Sequence, residues 1–118
     1  MSPLARVRDE QLGELSIASV DGEIDASNAA DISERLRAAL TNRSLALVVD
    51  LTEASYIDSA GLNVLFALDL ELRQRRQQLH LVVPPASPIA RMLAITGLDV
   101  VVPTRATRAA ALEEAAAG

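Results

Sequence analysis

The chain has 118 residues, so we expect one domain spanning residues 1–118. Its formal net charge of −5 argues against a nucleic-acid partner. It has no cysteine and one histidine, His80, which excludes thiolate chemistry and a strong metal site, and we expect no cofactor. The absence of lysine excludes lysine-dependent enzymes, and the absence of a signal peptide or an apolar run of about 18 residues favours a cytoplasmic protein without membrane contact.

Two short, partly alternating runs at the N-terminus predict a β-hairpin. Its strands are expected at Leu4 to Asp9 and at Leu15 to Asp21. The turn is expected at Glu10 to Gly13, because glycine readily adopts the backbone angles of a tight turn. These two strands should therefore be antiparallel neighbours.

A helix and a buried strand are predicted next. An apolar stripe from Ala26 to Leu40 predicts the first helix, with Asp25 or Ser27 as its cap. The run from Leu45 to Val49 has no polar residue, and Asp50 closes it. Such a run is typical of a strand that is covered on both faces.

The central helix is expected to open over Asp58 to Leu62, after a loop from Thr52 to Ile57, and to end near Gln77 and Gln78. One stripe of this helix should face the sheet: Gly61, Val64, Leu65, Leu68 and Leu72. A second set has i, i+3, i+4, i+7 spacing and shares another side: Ser59, Leu62, Asn63 and Phe66. An apolar patch beside a polar helix start suits a protein-docking surface, and the alternative is that a second layer covers it.

The C-terminal third predicts two more strands and two more helices. Strands are expected at Leu79 to Val83 and at Asp99 to Val102, with a helix from Ser87 to Thr96 between them. A final helix should begin at Pro103 and Thr104, and the tail from Glu113 to Gly118 is expected to fray.

The order of strands and helices predicts the fold class. Helices of ordinary length between buried strands indicate an α/β domain with a mostly parallel sheet. We expect four or five strands, an antiparallel N-terminal strand and about four helices. The core is expected to extend from about residue 4 to residue 112.

Ser59 lies where a loop meets a helix start, a position at which functional groups gather in open α/β sheets. The unpaired N–H groups and dipole of a helix start favour negative charge, so a phosphate on Ser59 fits locally. That phosphate would oppose a docked partner because it lies beside Asp58 and an apolar patch. The alternative interpretation is that Ser59 only caps the helix.

Four segments carry a resemblance that covers nearly the whole chain. Residues 56–62, YIDSAGL, preceded by residues 49–51, VDL, closely resemble the signature of STAS domains, specifically bacterial anti-sigma factor antagonists. Residues 22–25, GEID, look like the second-strand signature of that family. Residues 96–99, TGLD, resemble the turn that follows its third helix. The resemblance implies a single STAS-type domain.

The resemblance also implies a function and its residues. A protein of this family, while unphosphorylated, binds an anti-sigma factor and so frees a sigma factor. The anti-sigma factor is typically also a serine kinase, and a phosphatase reverses the modification. By position, Ser59 matches the phosphorylated serine, Asp58 shapes its loop, and Asp25 with Ser27 forms the neighbouring loop. The implied docking face contains Leu62, Asn63 and Phe66.

Two other functions are compatible with the sequence. The first is a constitutive STAS subunit of a transport or stress-signalling complex, in which Ser59 is only a helix cap. The second is an enzyme with Ser59 as nucleophile, which is disfavoured because the Gly-x-Ser-x-Gly pattern is missing and only the distant His80 is a candidate base. We interpret His80 as a surface or structural residue.

Overall fold

The computed structural model describes residues 4–118. Along the chain its elements are β1 (Ala5–Leu12), β2 (Leu15–Ile24), α1 (Ala29–Ala39), β3 (Ala46–Asp50), β4 (Ala54–Ile57), α2 (Ser59–Gln74), β5 (Gln78–Val82), α3 (Ala90–Thr96), α4 (Leu98–Val101), β6 (Thr104–Arg105) and α5 (Arg108–Ala117).

The longest strand, β2, organises the sheet. It pairs antiparallel with β1, and its first half pairs parallel with β3. Its last residues pair parallel with β4, where Ile24 lies opposite Ile57. The strand order is β1-β2-β3-β5-β6, with β4 beside the end of β2. The predicted α/β class and mostly parallel sheet with an antiparallel N-terminal strand are confirmed.

Helices cover both faces of this sheet. On one face, α1, α2 and α3 enclose the larger core, which includes Leu36, Leu68 and Leu93. On the other face, α5 covers a smaller cluster that includes Ile17 and Val48. The predicted core stripe of α2 is confirmed, because Gly61, Leu65, Leu68 and Leu72 are buried and Val64 is partly buried against the core.

The first two elements differ from their predicted bounds. β1 continues to Leu12, and the turn lies at Gly13, whose φ is +62°. The polar residues Glu10 and Gln11 resemble a turn in sequence, but they belong to an edge strand that is exposed to solvent. β2 continues past Asp21 to Ile24 because β1 and β4 pair with its end.

Strand β4 lies where the sequence predicts a loop over Thr52 to Ile57. Only its two ends, Ala54 and Ile57, are buried, while Ser55 and Tyr56 between them are exposed. Four residues with this burial pattern give no alternation, so periodicity alone does not detect the strand. Described residues 4–118 thus contain six strands and five helices, compared with the predicted four or five strands and about four helices.

The predicted strand from Asp99 to Val102 is wrong. Gly97, with a φ of +78°, ends α3, and Leu98 to Val101 then form the short helix α4. The β-branched valines suggest a strand, but the turn at Gly97 and the burial of Leu98 favour one more helical turn. The last strand is β6, two residues that pair with the end of β5.

Several helix ends also differ from prediction. α2 ends at Gln74 because Arg76 has a φ of +59°, which is incompatible with continuing the helix to Gln77. α5 begins at Arg108 rather than at Pro103 and Thr104, since Thr107 is its N-cap. The helix then continues to Ala117 with Ala115 buried, which differs from the predicted fraying of the tail from Glu113. α1 and α3 each begin three residues later than predicted.

Candidate functional site

The candidate site lies where β2 and β4 end side by side. The Asp58 N–H donates to the Ile24 carbonyl at 3.2 Å, which extends the pairing of the two strands. The loop after β2 and the start of α2 therefore form one rim, as expected for the carboxyl ends of parallel strands. Gly61 allows this close approach, because a Cβ there would lie 2.7 Å from atoms of Ile24 and Ile57.

Asp58 is the N-cap of α2. Its Oδ1 accepts hydrogen bonds from the N–H groups of Ala60 at 2.9 Å and Gly61 at 3.1 Å. Its Oδ2 accepts a third from Ala26 N–H at 3.2 Å, in the loop that follows β2. One carboxylate thus satisfies two free donors of the helix start and holds the neighbouring loop against it.

Ser59 is the first residue of α2 and is exposed. Within residues 4–118 its hydroxyl has no hydrogen-bond partner, and Asp58 holds the capping position. The hydroxyl is therefore free for a modifying enzyme to reach. The interpretation of Ser59 as the helix cap is wrong.

The loop from Asp25 to Asn28 is ordered by its own side chains. Asp25 accepts hydrogen bonds from the Ser27 hydroxyl and, at 2.8 Å, from Ser27 N–H. The Ser27 hydroxyl contributes most to lowering the pKa of Asp25, followed by the Ser27 N–H, so this carboxylate stays ionised. The prediction that Asp25 or Ser27 caps α1 is wrong, because Asn28 holds the N-cap position and no side chain caps the helix. Instead the Asp25 carbonyl accepts from Ala29 N–H at 2.8 Å.

Asn28 is a structural residue of this rim that sequence analysis missed. Its Oδ1 accepts from Asp25 N–H at 2.9 Å, and its Nδ2 donates to the Glu23 carbonyl at 2.8 Å. The signal in the sequence is an Asx residue three positions after Asp25, a spacing typical of turns. Asn28 therefore keeps the loop closed beside Asp58.

The predicted docking face of α2 is only partly exposed. Asn63 is exposed and Phe66 is partly buried against the core, but Leu62 is only 5% exposed and belongs to the core. The expectation of an exposed Leu62 is wrong, because Ile24 and Ile57 join it in the same cluster and enclose it. Two other apolar side chains are exposed, at 60% and 48%: Leu70 on α2, which the helical spacing predicts as an extension of this face, and Tyr56 on β4, which sequence analysis missed.

The site has no features of a metal centre or a membrane segment. Among residues 4–118, no group of three or more His, Cys, Asp or Glu side chains is arranged to hold a metal ion. In the same range, no helix has both the length and the apolar character needed to span a bilayer.

Comparison with known proteins identifies a matching family and several named relatives. The STAS domain family profile matches residues 6–111. The anti-sigma-B factor antagonist of Listeria monocytogenes is 40% identical over 80 residues, which cover 68% of this chain and 69% of that protein. The anti-sigma-F factor antagonist RsfB of Mycobacterium tuberculosis is 31% identical over 85 residues, 72% of this chain and 68% of that protein.

A solved structure shows the same fold over nearly the full length. The crystal structure of an anti-sigma factor antagonist from Mycobacterium paratuberculosis superposes with a TM-score of 0.84 at 28% identity. The alignment covers 94% of this chain and 93% of that one. The match of the family profile over residues 6–111 shows that this chain belongs to the STAS domain family.

Proposed function

We propose that this protein is an anti-sigma factor antagonist whose binding to an anti-sigma factor is switched off by phosphorylation of Ser59. Its relatives in Listeria monocytogenes and Mycobacterium tuberculosis are named as antagonists of anti-sigma factors. In this proposal the anti-sigma factor is also the serine kinase, and a phosphatase restores the binding form.

The free hydroxyl of Ser59 is the observation that carries this proposal. Serine at a helix start commonly serves as the cap, but here Asp58 accepts from Ala60 and Gly61 N–H. Because Ser59 does not cap α2, the alternative function of a constitutive STAS subunit, in which Ser59 is only a structural cap, is disfavoured. An exposed hydroxyl on a rigid helix start suits a modification site.

The position of Asp58 determines what a phosphate would do. Its carboxylate already accepts from the first N–H groups of α2, so a phosphate on Ser59 would face outward beside a second negative group. The phosphate adds a charge of about −1.5 to −2, which a docked partner would have to desolvate. A penalty of about 3 kcal/mol would weaken binding roughly a hundredfold.

The surface around Ser59 supplies the proposed contacts. The proposed partner-binding residues are Asp25, Ser27, Asp58, Asn63 and Phe66. Asn63 and Phe66 continue from Ser59 along α2, while Asp25 and Ser27 lie on the adjoining loop. Leu62 has an indirect role: it is buried beneath this surface, and its packing in the core with Ile24 and Ile57 holds the start of α2 in place. This mixed polar and apolar surface suits a protein partner.

The proposed activity is binding and not catalysis. A serine nucleophile needs a neighbouring base, and the only histidine, His80, is buried on β5. Its ring lies against Gln78 and Glu114, on the face of the sheet that α5 covers. Ser59 therefore lacks a histidine base.

The test uses the purified protein with a candidate anti-sigma factor kinase from the same organism. Binding is measured by calorimetry before and after incubation with Mg·ATP, and the phosphate is located by fragmenting the tryptic peptide from Ser44 to Arg73. We expect wild type to gain one phosphate on Ser59 and to lose affinity about a hundredfold. Ser59→Ala should stay unphosphorylated and bound.

Ser55→Ala is the matched control, because Ser55 is exposed and lies in the same peptide. It should behave as wild type. Phosphate on Ser55, or full affinity after modification of Ser59, would contradict the proposal. Absence of binding to the kinase in any form would favour a different partner.

A further inference from the structure

The outer edge of β1 is a surface that no other strand covers within residues 4–118. In this part of the chain β1 is the first strand in the sheet order and pairs with β2 on its inner side. Its eight residues contain no proline, and the last five, residues 8–12, are all exposed. The edge shares no residue with the surface around Ser59.

The hydrogen bonds to β2 determine which backbone groups of β1 point outward. The Leu4 carbonyl accepts from Glu23 N–H at 3.0 Å, in the same register that places Ala5 opposite Gly22. In an antiparallel pair every second residue bonds to the neighbouring strand, so the even-numbered residues of β1 bond to β2. The N–H and C=O groups of the odd-numbered residues therefore point away from the sheet: Ala5, Val7, Asp9 and Gln11.

These outward groups form a row along one extended strand. In residues 4–118 no second strand lies on that side, and no turn or loop backbone group bonds to them. Such a row is a template for one further strand. Solvent satisfies the same groups in a single chain, so pairing is favoured where the side chains of the incoming strand also match.

The apolar side chains of β1 match those of a second, antiparallel copy of β1. With Arg8 on a two-fold axis, the strand pairs with itself over residues 4–12. Leu4 then lies opposite Leu12 of the second copy, and the symmetry produces this pair twice. The two leucines are 44% and 56% exposed in the single chain, so each has apolar area to bury.

The charges of β1 match in the same register. Arg6 lies opposite Glu10 of the second copy, again twice, and cross-strand pairs of opposite charge are stabilising. One oxygen of Glu10 already pairs with Arg108, which leaves the other for Arg6. Arg8 faces its own copy at the axis, with Glu10 of each copy diagonal to it. Charged edges oppose pairing with an arbitrary strand, so these matches favour a second copy over an unrelated one.

A shift of the axis by one residue in either direction loses these matches. With Val7 on the axis, Arg6 lies opposite Arg8 twice. With Asp9 on the axis, Asp9 faces its own copy and Leu4 has no opposite residue on the second strand. Like charges directly opposite are destabilising, so the register centred on Arg8 is preferred.

We propose that two copies of this chain associate through β1, as an antiparallel strand pair with its two-fold axis at Arg8. The association would join the two sheets into one continuous sheet and pair the outward groups of all four odd-numbered residues. Because the axis is perpendicular to the sheet, the α2 helices of both copies would lie on the same side of it.

The test measures the mass and the amide exchange of the full chain over a range of concentrations. Sedimentation equilibrium from micromolar to near-millimolar protein should show a monomer that becomes a dimer. Hydrogen exchange followed by NMR should show the Val7, Asp9 and Gln11 amides protected at high concentration only. The Arg8 and Glu10 amides, which bond to β2, should be protected equally at both concentrations.

Asp9→Pro tests the pairing through one backbone group. Proline removes the outward N–H of Asp9, and an edge strand accepts proline where the N–H faces solvent. This variant should remain a monomer with an unchanged circular dichroism spectrum. Asp9→Ala, which keeps the N–H, is the matched control and should dimerise at least as well as wild type.

Leu12→Asp tests the side-chain match and leaves the backbone of β1 unchanged. It would place a carboxylate against Leu4 of the second copy, so the dissociation constant of the dimer should rise about tenfold or more. Leu70→Asp is the matched control, because Leu70 is 60% exposed on α2 and far from β1 in the sheet order. It should dimerise as wild type does.

Any of three results would contradict this dimer. The first is a monomer at every concentration. The second is a dimer whose outward β1 amides exchange as fast as in the monomer, since that dimer would use another surface. The third is a dimer of Asp9→Pro or Leu12→Asp with the affinity of wild type.

Discussion

The carboxylate of Asp58 connects two backbone segments that are far apart in sequence. One oxygen accepts from the start of α2 and the other from Ala26 N–H, 32 residues earlier in the chain. The resemblance to STAS domains implies that Asp58 shapes this loop. The sequence cannot tell which of two adjacent capping residues, Asp58 or Ser59, is used, since that depends on the direction of the chain leaving β4.

Asp58→Ala should lower the free energy of unfolding by about 1 kcal/mol, the usual cost of losing an N-cap. Ser59→Ala should change it by less than about 0.5 kcal/mol, because its hydroxyl makes no capping bond. Urea unfolding followed by circular dichroism measures both. A larger loss in Ser59→Ala than in Asp58→Ala would show that the hydroxyl caps the helix.

The burial of His80 predicts a pH dependence of stability. Its pKa is lowered in the folded protein, while an unfolded histidine titrates at about 6.5. Below about pH 6.5 the unfolded chain binds a proton that the folded chain resists, so stability falls with pH by at most about 1.4 kcal/mol per unit from this residue.

His80→Gln should remove this component, so unfolding curves of the variant should change less than those of wild type between about pH 7.5 and 5.5. Glutamine still reaches neighbouring polar groups, and the other titratable groups are the same in both proteins. Parallel curves for the two proteins would contradict the assignment of a neutral, buried imidazole.

At the scale of elements, the predicted strands and helices with strong periodicity are correct, and the short ones are not. The sequence predicts α2 because its apolar residues recur at helical spacing along one stripe. It predicts β3 because an uninterrupted apolar run indicates a strand that is buried on both faces. β4, α4 and β6 have four, four and two residues, too few for a period to repeat. Their conformation depends on which segments pair with or cover them.

The hairpin depends on two glycines with positive φ but different surroundings. A Cβ on Gly22, whose φ is +112°, would lie 2.2 Å from the Leu4 carbonyl oxygen. A Cβ on Gly13, whose φ is +62°, would meet nothing within 4 Å. A residue with a side chain would have a strained backbone at both positions, but its Cβ would clash with backbone atoms only at Gly22.

Gly22→Ala should therefore lower the free energy of unfolding by about 3 kcal/mol or more, since strain and overpacking add. Gly13→Ala, the matched control, should cost about 1–2 kcal/mol. Chemical denaturation of both variants gives the comparison. Equal losses would mean that β1 shifts away from Gly22 without cost, which the pairing of Ala5 with Gly22 opposes.

At the scale of the whole molecule, α5 closes the second face of the sheet with small side chains. Ala111 and Ala115 are 0% and 2% exposed and belong to the cluster that contains Ile17, Val48 and Val82. Sequence analysis predicts a helix in this region but not its tight packing, because the alanines of this segment do not by themselves mark one buried stripe. The ion pair of Arg108 with Asp50 joins the same helix to β3.

The Asp50 carboxylate accepts hydrogen bonds from Thr52 and from the guanidinium of Arg108, and both affect its ionisation. Burial of Asp50 opposes its ionisation, but these hydrogen bonds outweigh that effect and lower its pKa. α5 is therefore attached to the sheet by an ionised pair at its first turn and by alanine packing further along. If α5 and the sheet unfold as one cooperative unit, a destabilising substitution at Ala111 should unfold both.

Ala111→Asp should lower the free energy of unfolding by at least about 3 kcal/mol, because it buries a carboxylate without a partner. Ala109→Asp is the matched control: Ala109 is exposed in the same first turn, where a negative charge is neutral or slightly favourable. Circular dichroism reports the helices, and Tyr56, the only tyrosine in a chain without tryptophan, reports β4 by fluorescence. Because Tyr56 lies outside the cluster that α5 covers, coincident loss of both signals at a lower urea concentration would establish one cooperative unit. A Tyr56 transition that stays at the wild-type midpoint while helical signal is lost would instead show that α5 detaches alone, with the surface around Ser59 still folded.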